Sequence, residues 1–284
     1  MKTRHLIWAA ALLICSFGCE EVELPESVPQ IVVEGWIESG GYPVVILTTS
    51  VPVNSEIKDE EQLRDYVINW GKVTISDGEK DVVLTGKKND DYFPPYIYTT
   101  TKLRGEAGKS YSIKVEYSQR TVTAVTTIPE PVELEYLNVS KNGDSEDGYV
   151  ITAGLRDNPS SKDYYKVFTK VIGRDSTYAP SFMGLIDDEI LSEPVEEFVI
   201  NNSRSNLRED NNILFKGDDI VMIRFCTLDE TSWMYWNDFD EVSSLSTNPF
   251  FPVTSKIRSN ISGGLGYWAG YGSTYYKVSI SDYV

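Results

Sequence analysis

The chain has 284 residues, 26 of them basic and 43 acidic, for a formal net charge of -17, and it contains one histidine and three cysteines. An acidic surface repels phosphate polymers, and no stripe of Lys and Arg offers counterion release, so nucleic-acid binding is excluded. Val, Ile, Thr and Tyr recur in short alternating runs while helical periodicity is scarce, which predicts a mostly β protein.

Lys2, Arg4 and His5 precede an apolar run over residues 6–14. That run is far short of the roughly 20 residues that span a bilayer, so residues 1–18 have the build of a secretory signal peptide. Gly18 supplies the small residue that a lipoprotein signal peptidase needs before a cysteine, which makes Cys19 the expected lipid attachment site. Ser16 stands where such a box usually has an aliphatic residue, and ordinary secretory cleavage near Gly18 is the alternative. Cys15 follows bulky Ile14 and does not fit. Several acyl chains, each methylene contributing about 0.8 kcal/mol, would hold the protein firmly.

Removing residues 1–18 takes away Lys2 and Arg4, leaving 24 basic groups against 43 acidic and a net charge of -19. It also takes His5. The mature chain then has no imidazole, which excludes Ser-His-Asp and Cys-His catalysis and zinc sites that depend on His. With Cys15 removed and Cys19 acylated, Cys226 is the remaining thiol and no internal disulfide can form. Its place in the strand-like run 221–226 predicts a buried small hydrophobe.

Residues 19–29 carry four glutamates and two prolines and read as an acidic, flexible tether. An N-terminal β-sandwich domain is expected over 30–130. Its first strands, 30–38 and 43–50, form a hairpin about Gly40 and Gly41. Asp59 and Gln62 have capping-box spacing, and Leu63, Tyr66, Val67 and Trp70 repeat at helical intervals, which predicts a short surface helix. Strands over 71–76 and 81–84 flank a turn at Asp77 and Gly78. Pro94 and Pro95 confine the aromatic segment 92–98 to an edge or a strand entry, and 110–117 with 120–128 form a closing hairpin.

Pro129 and Pro131 place a boundary near Glu130. A C-terminal β domain over 131–284 offers strands at 134–140, 149–155, 164–172, 197–200, 219–227 and 275–280, with long loops over 173–212. One inserted helix is expected: Asp229 caps it, and Tyr235, Trp236, Phe239 and Val242 line up at spacings of three and four. The fold class is therefore mostly β, with two β-sandwich domains, the first immunoglobulin-like or prealbumin-like.

Acid clusters at 187–189, 218–219 and 237–241 lack the spacing of a calcium loop and read as a solvated acidic face. In a chain this acidic no catalytic carboxylate pair can be assigned, and no metal or cofactor is expected. Residues 264–269 match a dinucleotide pattern by letters alone, because too few residues follow to supply the required acid. Their glycines are expected to allow positive φ in a tight loop. Tyr267, Trp268 and Tyr271 on that loop are candidate ligand or partner contacts, as are Trp233 and Trp236. For each ring the other reading is packing at the end of a core.

Several segments in order, Val32-Val33-Glu34-Gly35-Trp36-Ile37 with residues 71–78, 107–111, 126–129, 217–219 and 260–266, together resemble a known family. It is a Bacteroidota lipoprotein family catalogued only as a domain of unknown function (number four-two-four-nine), and the resemblance covers nearly the whole mature chain. Glu20, Glu21 and Glu23 after Cys19 resemble the surface-export signal of lipoproteins in that phylum. The resemblance implies a protein on the outer face of the outer membrane, held by acyl chains on Cys19 and commonly encoded beside TonB-dependent receptors; it implies no catalytic residue. The expectation is a non-enzymatic surface accessory that binds a ligand for, or docks on, a TonB-dependent transporter. A structural or adhesive surface protein is the second reading and a carboxylate-only glycoside hydrolase the third. A binder should have a pocket rimmed by Tyr267, Trp268 and Tyr271, whereas an enzyme should set two acids roughly 5 to 10 Å apart in a cleft.

Overall fold

The computed structural model describes residues 28–51, 60–143, 145, 147–156, 158, 161–187, 195–203, 213–245 and 257–283. Residues 1–27, which include the expected signal peptide, Cys19 and most of the expected tether, lie outside them, as do Asp59 and residues 248–252.

The alternating runs of the first half become β1 (Ile31–Glu38), β2 (Val44–Thr49), β3 (Lys72–Ser76), β4 (Asp81–Val83), β5 (Thr85–Lys88), β6 (Tyr96–Thr99), β7 (Ser110–Tyr117) and β8 (Arg120–Thr127). Between β2 and β3 the predicted surface helix shrinks to one turn, α1 (Glu60–Leu63), and a 3-10 turn over Arg64–Tyr66. The neighbouring strand captures the rest of the helical pattern. Val67 bridges to Thr48, the Ile68 amide donates to the Leu47 carbonyl at 2.9 Å, and Ile68 is buried while Trp70 is 91% exposed.

The second half supplies β9 (Tyr136–Lys141), β10 (Tyr149–Arg156), β11 (Tyr164–Val171), β12 (Ala179–Asp187), β13 (Val195–Ile200), β14 (Ile220–Leu228), α2 (Glu230–Leu245) and β15 (Leu265–Ser279). Two expectations are corrected here. β12 lies inside the region read as long loops, pairing with β11 through a register shift between Lys166 and Phe168. The glycine-aromatic stretch is a turn only through Gly264, with Gly263 at the expected positive φ; from Leu265 it is the first part of β15, a strand of 15 residues. Its glycines serve close backbone approach. A Cβ at Gly266, where φ is +100, would sit 1.9 Å from the Val33 carbonyl oxygen, and one at Gly270 would sit 2.5 Å from that of Thr127.

The strands form three sheets: one of eight in the order β12-β11-β14-β15-β1-β2-β6-β5, one of three (β13-β10-β9) and one of four (β4-β3-β7-β8). β15 joins the halves, running parallel to β1 on one side and antiparallel to β14 on the other. The four-stranded sheet packs on β1 and β2 through Ile31, Val33, Ile37, Val45 and Leu47 against Val73, Ile75, Ile113, Val115 and Val122. The three-stranded sheet packs on β11, β14 and β15 through Val167, Ile223, Phe225 and Val278 against Ile151, Leu155 and Ile200. Fully burying each such side chain stabilises the fold by roughly 1.5–3 kcal/mol. The molecule is thus mostly β, with both smaller sheets sandwiched against the long one.

Side chains alternate across a strand, so Trp268, Tyr276 and Val278 all leave β15 on the side of the two cores. Tyr267, Ala269 and Tyr271 leave it on the other side, with Phe168, Cys226 and Leu228. α2 packs there.

Candidate functional site

On the face opposite the two cores a cavity of about 500 Å³ opens, within the range of small-molecule sites. Its floor is built by strand parity. β1 contributes Glu34, Trp36 and Glu38, residues two apart, and β2 contributes Val44 and Ile46. Tyr267, Tyr271 and Tyr275 come from β15, Phe168 from β11 and Arg224 from β14. Tyr92 and Phe93, before β6, and Thr177 and Tyr178, before β12, form the sides.

α2 closes one wall with Tyr235, Trp236 and Phe239, whose spacing puts them on one helical face. Its position is over-determined. Asp229 caps it, accepting the Ser232 amide at Oδ1 (2.7 Å), while its other oxygen accepts the Thr126 hydroxyl at 3.3 Å. The Trp236 indole N–H donates to the Tyr271 hydroxyl at 3.1 Å. Lys166, fully buried in β11, reaches Asp240 Oδ2 at 2.8 Å, and burial holds its ammonium below the ordinary lysine range despite that partner. Arg258 grips Asp238 with two bonds of 2.7 and 2.6 Å and holds its carboxyl below the usual range.

The cavity's charges lie toward two ends. At one, Arg224 is 7% exposed, and its guanidinium carbon lies 4.2 Å from the Phe168 ring centroid and 5.3 Å from that of Tyr178. Its Nη1 is 3.5 Å from Glu38 Oε2, a long contact for an ion pair, and its Nε has no hydrogen-bond partner among the described residues. Arginine keeps its charge at any physiological pH. Glu38 is held in turn by the Ser273 hydroxyl at 2.9 Å. At the other end Glu34 keeps contact with solvent through the cavity but is crowded by protein atoms. The loss of hydration raises its carboxyl pKa, opposed by the Tyr267 hydroxyl 3.5 Å away. Burial also lifts the hydroxyls of Tyr235, Tyr267, Tyr271 and Tyr275 above the ordinary phenol range, so they remain protonated donors.

A family model described as Domain of unknown function (DUF4249) matches residues 20–277. The chain belongs to the DUF4249 family. The match contains every residue that lines the cavity, from Glu34 to Tyr275. No curated protein matches the chain.

Of the residues singled out in this DUF4249 sequence, Tyr267, Tyr271 and Trp236 meet in the cavity. Trp268 does not: one position out of phase, it points into the first core, fully buried, with its indole N–H on the Tyr111 carbonyl at 2.9 Å. Trp233 lies outside the lining, stacked on Tyr164 with centroids 4.9 Å apart. Cys19 lies outside the described residues. Cys226 is fully buried, and burial pushes its thiol up to about 11. The acid clusters are corrected in part. Asp219 is buried and accepts Arg174 at 3.0 Å, and Asp238 is buried against Arg258, so neither belongs to a solvated face.

Sequence reasoning passed over Arg224, Glu34, Glu38, Trp36 and Tyr178. Two local signals were present. Arg224 is the one charge inside the apolar run 221–226, and Glu34, Trp36 and Glu38 share the parity opposite to buried Ile31, Val33 and Ile37.

Proposed function

We propose that this DUF4249 protein is a lipid-anchored surface accessory of an outer membrane that captures a ligand for a TonB-dependent transporter, or docks on that transporter. The observation that carries the reading is the ring-lined cavity with charges at both ends, an arrangement suited to holding a small molecule. The Gly18-Cys19 junction and the acidic tether support the anchored part.

Hydrolysis has one specific point in its favour, two carboxylates in one cavity. Four residues along an extended strand separate Glu34 and Glu38 by about 13 Å at Cα. The carboxyl separation that glycosidases use, about 5 Å or about 6.5–9.5 Å, is set by side chains and not by these Cα positions, but Glu38 is already engaged by Arg224 and Ser273. We therefore favour binding. Extraction of native outer membranes in mild detergent is expected to recover a TonB-dependent transporter with the protein, and mass spectrometry to find acyl chains on Cys19. Repeated recovery of the protein alone, or a bare Cys19 in material free in the medium, would sink the proposal.

A further inference from the structure

We infer, building on the capture reading above, that the cavity takes a short apolar peptide lying lengthwise, with its terminal ammonium at Glu34 and its terminal carboxylate at Arg224. Each end holds a charged group with room for a further partner: Arg224 is nearly buried, and Glu34 is exposed at the cavity. Arg224 is a permanent cation in a nearly closed site, with, among the described residues, a single carboxylate at 3.5 Å and one N–H donor without an acceptor. A second anionic group would complete it, because a guanidinium presents a fork that fits a carboxylate. Glu34 has a hydroxyl at 3.5 Å and no cation among the described residues, and beside it the Tyr235 and Tyr267 rings stand 4.2 Å apart between centroids. An ammonium placed there would meet a carboxylate and ring faces together.

Strand geometry sets the length of the ligand. The Glu34 and Glu38 positions lie about 13 Å apart, and Arg224 bonds at the Glu38 end. An extended chain covers at most about 3.3–3.6 Å per residue, so about four residues span the gap and three fall slightly short. Between the ends, Trp36 and Trp236 offer apolar surface that suits side chains such as Leu or Phe, and Phe168 does so beside Arg224. A neutral sugar would stack on these rings but bring no ammonium to Glu34 and no carboxylate to the free Nε–H of Arg224.

The test incubates the folded protein with an equimolar mixture of Leu- and Phe-containing tri- and tetrapeptides and with malto-oligosaccharides, and reads the retained species by native mass spectrometry. The retained peptide is then titrated by tryptophan fluorescence in free, amino-acetylated and carboxy-amidated forms. Blocking either terminus is expected to weaken binding at least tenfold. Glu34→Gln is expected to abolish the preference for the free amine while keeping the preference for the free carboxylate, a pattern that general unfolding would not produce. Equal binding of blocked and free peptides, or retention of saccharide alone or of neither class, overturns the peptide assignment. Membrane co-extraction decides the transporter role separately, so the two can fail independently.

Discussion

Glu34 shows at the scale of one residue how a carboxylate set among rings in the cavity opposes stability. Loss of hydration raises its folded pKa above the 4.5 of an unperturbed carboxyl, so the folded state holds the proton more firmly than the unfolded chain does. The favourable contribution is complete below the unfolded value and is lost as pH rises through the folded one. At neutral pH the charge is therefore a net cost, moderated by the water that still reaches it. Glu34→Gln is expected to raise the melting temperature at pH 7 on the order of 1–2 °C, with the gain vanishing near pH 4. Scanning fluorimetry at the two values checks this, and an unchanged or lower melting temperature at pH 7 contradicts it. Glu38 and Arg224 differ because each has a partner of opposite charge.

Among the elements, α2 is the one whose loss would open the site. It was legible because its signals are local: a capping aspartate at 229 and rings at helical spacing need no distant partner to be recognised. The cap bond to Ser232 and the second bond to Thr126 both pass through Asp229. Asp229→Ala is expected to cost about 1 kcal/mol, read as a lower urea midpoint with an unchanged slope. A midpoint equal to that of the parent would show that packing alone seats the helix. β15 is the contrary case. Glycines in a row read as a loop because a turn and a close approach leave the same mark in a sequence. The backbones of β1 and β8, against which Gly266 and Gly270 press, decide between them.

At the scale of the whole molecule, β15 makes the two halves depend on one another. It brings Trp268 from the end of the chain into the core of the first half and pairs with β1 along its length. A fragment covering residues 28–130 would lose that indole and Ile261 and expose β1 as an open edge. It is expected to be poorly folded, and a well-dispersed amide spectrum from the fragment would refute this. The chain alone determined the mostly β class, the position of most strands and the capped helix, since each follows from residue identity or a short period. Only the tertiary structure decided that Tyr267 and Tyr271 face a cavity while Trp268 lies in a core, and that Glu34, Arg224 and Tyr275 line one space. A one-residue change of phase reverses the face of a side chain, and pairing between strands far apart in sequence sets which faces meet, which no local pattern specifies.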